Sequence, residues 1–224
     1  MSQPFLDDSP MDGSLPPCSL AEFQQPRLRR GPFILKIFWD DEAPEPPHYF
    51  AAQRECQNAA LFQLMQAAVG PDYAELGPIL VDPCPETKEA AEANLFAFSR
   101  EVRLQQSGAF DASLFQVTVV PRMRQCFGWL KLTGRDLLRL LPRKLLPPYI
   151  KVSGVRRSIR QDACYTAVVC EFVEEAENDP EVVQQVLDFF WCVGFSHIMT
   201  PKASNWKNGV LVDLSDIVHP RGYG

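Results

Sequence analysis

Phe33-Ile34-Leu35-Lys36-Ile37-Phe38-Trp39 sets one ammonium inside a run of apolar, β-favouring side chains with no helical period. An ammonium left unpaired in a low-dielectric interior costs several kcal/mol, so Lys36 calls for a counter-charge or an anionic ligand. Residues 49–69 supply the counter-charge. They carry Ala52, Glu55, Ala59, Phe62 and Met65 at helical spacing, and Glu55 is their only acid, nineteen positions after the lysine. Glu55 therefore belongs on the packed face of the helix and is the expected partner of Lys36. A lysine head that snorkels out of the strand is the alternative reading of the same residues.

The distal part of the chain adds a second pattern. Gly194-Phe195-Ser196-His197 is followed by Pro201, then Asn205-Trp206, then Gly209-Val210-Leu211-Val212-Asp213. Together with Lys36 and Glu55, this order resembles protein-kinase-like phosphotransferases, in which a strand lysine grips the nucleotide's α- and β-phosphates and a helix glutamate holds that lysine. The ending, with Asn-Trp, Gly-Val-Leu-Val-Asp-Leu and His-Pro-Arg-Gly, is similar to that of uncharacterised fungal kinase-like proteins. The resemblance implies an α+β fold with an antiparallel-sheet upper lobe, one helix against it, and a truncated, mainly helical lower lobe. It also implies ATP and Mg²⁺ as ligands. Lys36 and Glu55 would serve the nucleotide, the backbone of Glu171 to Val173 would pair with the adenine edge as a hinge, and Asn205 and Asp213 would hold magnesium through hard oxygen donors. His197 takes the place of the catalytic-loop histidine.

The departures from the pattern are as informative. Between the loop histidine and asparagine a working kinase places an aspartate, but here stand Ile198, Met199, Thr200, Pro201, Lys202, Ala203 and Ser204. No Asp or Glu occurs between Asp188 and Asp213, so no shift of register restores a general base, a group worth ~10²–10⁴ in rate. No catalytic residue is assigned in this degraded loop around His197. Where a glycine-rich lid should precede the lysine strand, Arg27-Leu28-Arg29-Arg30-Gly31-Pro32 offers one glycine and a proline. Leu214-Ser215-Asp216 replaces the aromatic and glycine that usually follow the metal-binding aspartate, and the expectation is a domain without an activation segment. The functional expectation is a catalytically inactive, pseudokinase-like binding or scaffold protein with residual ATP/Mg²⁺ binding. The enzyme alternative is an atypical ATP-dependent phosphotransferase using Asp213 or Asp216 as proton acceptor. A further alternative takes Asp213, Asp216 and His219 as a metal cluster in an unrelated α+β domain.

Length and composition bound these readings. At 224 residues with 46% hydrophobic content the chain buries a substantial core. There is no basic-then-apolar leader and no apolar stretch of bilayer-spanning length, so the expectation is an intracellular protein of cytoplasm or nucleus without a membrane segment. The seven cysteines show no two-residue spacing, which argues against a zinc ribbon, a thioredoxin motif or a disulfide framework and for reduced core thiols. Three histidines, with His48 in a proline-rich linker, support no Cys-His or Ser-His dyad. Glycines form no Rossmann or Walker fingerprint.

The net charge of −6 conceals an asymmetry. Half of all Lys and Arg lie in 122–160, opposed there by Asp136 alone, while 171–188 is acidic without a basic residue. A solvated surface accounts for such runs. An acidic protein or RNA partner on the basic segment 122–160 is the alternative; neither a DNA motif nor an RNA-binding aromatic motif accompanies it.

Along the chain, residues 1–30 read as a disordered or loosely attached tail, 31–173 as the upper lobe and 174–224 as the truncated lower lobe. Prolines in the 40–47 linker stop the lysine strand, and Gly70-Pro71 ends the glutamate helix. A helix is expected over 86–103 and a short one from Gly134 toward Pro142, capped by Thr133 and Asp136; both are insertions relative to a minimal upper lobe. Strands are expected over 115–120, 126–132, 149–152 and 165–173. Asp179-Pro180 opens a helix with Asp179 as N-cap and proline at its first position. Strand 210–212 ends at Asp213.

Overall fold

The lysine run is a strand, but at the edge of its sheet. A computed structural model describes residues 32–39, 50–105, 113–152 and 154–222. The tail 1–30, the linker 40–47 and His48 lie outside the described residues. In chain order the elements are β1 (Phe33–Phe38), α1 (Ala51–Ala68), β2 (Ile79–Val81), α2 (Lys88–Phe96), α3 (Arg100–Gln105), β3 (Phe115–Val117), β4 (Cys126–Thr133) and α4 (Gly134–Leu140). There follow β5 (Ile150–Val152), β6 (Val155–Arg157), β7 (Cys164–Glu171), α5 (Pro180–Cys192), β8 (Ser196–His197), β9 (Trp206–Lys207), β10 (Val210–Leu211) and β11 (Ile217–Val218). The architecture is α+β. One three-stranded antiparallel sheet has the order β1-β7-β4, and the remaining strands form the two-stranded pairs β2-β3, β5-β6, β8-β11 and β9-β10.

Register sorts the central sheet into two faces. Lys36 stands opposite Val168, Ile34 opposite Cys170, and Cys126 opposite Cys170 on the other side of β7. Since side chains alternate across a strand, these residues share the face that carries α1. The opposite face presents Leu130, Leu132, Tyr165, Ala167 and Val169 to Leu137 of α4 and forms a second, smaller apolar cluster. α4 starts as the sequence demands: the Thr133 hydroxyl accepts the Asp136 N–H and the Asp136 carboxylate accepts the Thr133 N–H, a reciprocal capping box.

α1 is buried on nearly every side. Ala52, Ala59, Ala60, Leu61, Phe62 and Met65 enter the main core, and so do the polar residues Arg54, Glu55 and Asn58. Its small residues allow the sheet and the C-terminal segment to approach it from different directions. The main core is continuous across position 173: Phe62 of α1 stacks on Phe190 of α5 at 5.5 Å between ring centroids and on Phe195 at 4.7 Å. The proposed upper and lower portions thus share one apolar cluster.

Three expectations change. The helix over 86–103 is two helices, because the Ser99 hydroxyl accepts the Val102 N–H and begins a new one at Arg100. The mainly helical lower portion contains one α-helix, α5, followed by short strand pairs and single helical turns. After α5 the chain has no helical period, and Asn208 and Gly209 both take left-handed φ values, 51° and 72°, which suit the two-residue hairpin joining β9 to β10. Strand 115–120 shortens to β3, beyond which Val119 is exposed and Pro121 approaches. Among the described residues no helix is long and apolar enough to cross a membrane.

Candidate functional site

Lys36 reaches both acids that the sequence singled out. Its Nζ lies 2.8 Å from Glu55 Oε2 and 2.7 Å from Asp213 Oδ1, joining residues 19 and 177 positions away. β1 supplies the lysine and α1 the glutamate; the aspartate comes from the turn after β10. The environments of the two acids differ. The Glu55 side chain has no exposure, whereas Lys36 and Asp213 retain 21% and 30%, so the site opens to solvent along its lysine-aspartate edge.

Burial and charge act oppositely on the three groups. Desolvation pulls the Lys36 ammonium down, but Glu55 and Asp213 together outweigh it and hold its pKa above the ordinary lysine value. Burial pushes the Glu55 carboxyl up, and Lys36 offsets this only in part. Burial would raise Asp213 as well, yet Lys36, followed by the Ser215 hydroxyl and amide, keeps it below the usual aspartate value. Asp213 is the firmly ionised carboxylate of the pair. Its Oδ1 accepts from Lys36 Nζ, from Ser215 Oγ at 2.7 Å and from Ser215 N at 3.2 Å.

Asp213 is placed by residues whose partners are backbone groups. Asn58 Nδ2 donates to the carbonyls of Leu214 and Ile217, both at 2.8 Å, and Arg54 reaches the Ser215 carbonyl at 3.5 Å. One turn of α1 therefore holds Lys36 through Glu55 and the aspartate segment through Arg54 and Asn58. Buried Arg124 donates to the carbonyls of Val212 and Glu171, tying the aspartate segment to the end of β7. These three residues carry a weak sequence signal, two polar positions on a helix that also carries several glutamines and one arginine in a basic block.

The other expected site residues are more dispersed. Asn205 donates through Nδ2 to Asp216, and its carbonyl accepts the Val212 N–H, which sets it beside the aspartate segment. The Glu171 N–H donates to the Gln125 carbonyl and its own carbonyl accepts from Arg124, so both backbone groups of this expected hinge residue are engaged within the protein. Val173 is buried. His197 pairs with Ile217 in β8-β11 and packs edge-on to Phe190; burial lowers its pKa, with Asp216 opposing weakly. Asp213, Asp216 and His219 do not form a metal cluster: among the described residues, the one group of three such side chains whose ligand atoms all lie within 4.8 Å is Glu55, Cys126 and Cys170. The basic block is not a uniform surface either, since Arg122 pairs with Glu171, Arg160 with Asp162, and Arg124 is internal.

No family model, no curated protein and no solved structure matches the chain.

Proposed function

We propose that the chain is a kinase-like protein without phosphoryl-transfer activity, a binding or scaffold protein whose Lys36 site takes the phosphates of a nucleotide. The carrying observation is the single ammonium shared by a sequestered glutamate and a solvent-facing aspartate. Glu55 fixes the lysine from below. A phosphate arriving along the open edge takes the place of Asp213 at Nζ, releasing an ionised carboxylate beside Asn205. Asp213 and the Asn205 side-chain oxygen then offer hard donors of the kind magnesium prefers. Bound Mg²⁺-nucleotide would supply a triphosphate and its charge-neutralising cation.

The same contacts argue against turnover. Residues 198–204 hold no carboxylate, Asp213 once released from Lys36 would be taken up by the magnesium while still accepting from Ser215, and Asp216 is engaged by Asn205. Neither aspartate stands ready to accept a hydroxyl proton, and a proton acceptor must lie within hydrogen-bond reach of its substrate.

Thermal unfolding with ATP, ADP, Mg²⁺ and Mn²⁺ tests this reading. Nucleotide at a hundred times its Kd should add about 2.7 kcal/mol of stability, and the gain should vanish in Lys36→Met and Asp213→Asn. No stabilisation by any nucleotide in the folded wild-type chain refutes the nucleotide site and leaves scaffolding alone. Phosphate transfer abolished by Asp213→Asn or by Asp216→Asn establishes the enzyme instead.

A further inference from the structure

Cys126 and Cys170 face each other across β4 and β7 with their sulfurs 3.2 Å apart, both fully enclosed. They are free thiols. Between this pair and Lys36 stands Glu55, whose Oε2 takes the ammonium while Oε1 is buried with no hydrogen-bond partner. Nothing in the lysine site uses that second oxygen. A buried carboxylate oxygen without a donor is costly, and the Glu55 carboxylate brings an oxygen within 4.8 Å of both sulfurs.

We infer that Cys126, Cys170 and Glu55 Oε1 form a binding site for a thiophilic divalent cation, zinc being the fitting choice. Two thiolates and a carboxylate are a donor set that zinc accepts, with a water at the fourth position. The charges balance as well. Two thiol protons leave as one dication enters, so the pocket keeps its net charge and Lys36 remains the partner of Oε2. Tetrahedral zinc with Zn–S bonds of ~2.3 Å holds its sulfurs roughly 3.8 Å apart, so β4 and β7 need part only slightly at the bulge that already interrupts their register between Cys126 and Gly128. A disulfide between the same sulfurs would leave Oε1 orphaned and would require an oxidant to reach an enclosed site. The ion would pin α1 to the sheet from beneath, independently of any nucleotide. Its entry requires opening of the core, so it loads as the chain folds.

The test is to refold the full chain under reducing conditions with zinc, remove loosely held metal by gel filtration, and measure metal content. One ion per chain is expected, with release of about two protons per ion. Cobalt in place of zinc should give a thiolate-to-metal charge-transfer band. Cys126→Ser and Cys170→Ser should each lose the band and weaken binding beyond the ~10–100-fold typical of losing an outer-shell partner. Cys84→Ser/Cys164→Ser, which removes the exposed thiols among the described residues, should keep both metal and band. Because the core substitutions risk misfolding, wild-type stoichiometry and proton release stand as separate readouts. Wild-type chain that folds with no stoichiometric metal, or a cobalt band that survives both core substitutions, overturns the inference. So does intact-mass evidence that Cys126 and Cys170 form a disulfide in zinc-refolded chain.

Discussion

At the residue scale, the site rests on the unequal surroundings of two acids that share one ammonium. Replacing Lys36 strands Glu55 in a place where only the smaller influence of Arg124 compensates its ionised form. With the lysine gone, the folded-state pKa of Glu55 rises further above its unfolded value of about 4.3. Between those two values the native state binds more protons than the unfolded chain, so stability falls as pH rises through that window. Lys36→Met should therefore lose more stability relative to wild type at about pH 8 than at about pH 5, approaching the 3–5 kcal/mol typical of a broken buried pair. Urea denaturation at the two pH values measures it, and adding Glu55→Gln should flatten the difference. An equal loss at both values would mean that Glu55 is not the group being stranded.

At the element scale, α1 is the organising piece, since one turn of it holds both the lysine and the segment that carries Asp213. Asn58→Ala removes two hydrogen bonds to the enclosed carbonyls of Leu214 and Ile217. Each orphaned group costs about 1–3 kcal/mol, so a total loss of ~2–6 kcal/mol is expected, with faster hydrogen exchange of the amides in 213–218. Unchanged exchange there would show that Asn58 does not anchor the segment. The Lys36–Glu55 contact was legible because both halves rest on local pattern, an apolar, β-favouring run that isolates one lysine and a 3.6-residue repeat in a helix. Asn58, Arg54 and Arg124 were not, because their partners are backbone carbonyls, in all but one contact more than 80 residues away, and a carbonyl leaves no mark on residue identity. The two-residue strands β8 to β11 are too short to carry a period. The hairpin at Asn208-Gly209 has a local signature, but one of turn chemistry and not of hydrophobic spacing. The break at Ser99 is a capping event inside an unbroken helical pattern, which propensity alone does not reveal.

At the scale of the whole molecule, the apolar cluster that joins α1 to α5 makes the sheet and the C-terminal region one cooperative unit. Asn94 reinforces this away from the rings, donating to the carbonyls of Asp82 and Cys192, so the expected insertion over 86–103 braces the two parts. Phe62→Ala should cost about 3–5 kcal/mol and shift one unfolding transition as a whole. Two resolved transitions in wild type, seen by intrinsic fluorescence and far-ultraviolet circular dichroism, would instead indicate separable lobes.

The Arg124 guanidinium spans from the last residue of β7 to the strand end at Val212, bypassing the exposed, glutamate-rich stretch that covers Glu174, Glu175 and Glu177. A glutamate-directed protease cutting that stretch would sever the chain without separating its halves. The clipped protein should co-elute as a two-fragment complex in native gel filtration and come apart only in denaturant, so the molecule could be assembled from two separately made peptides.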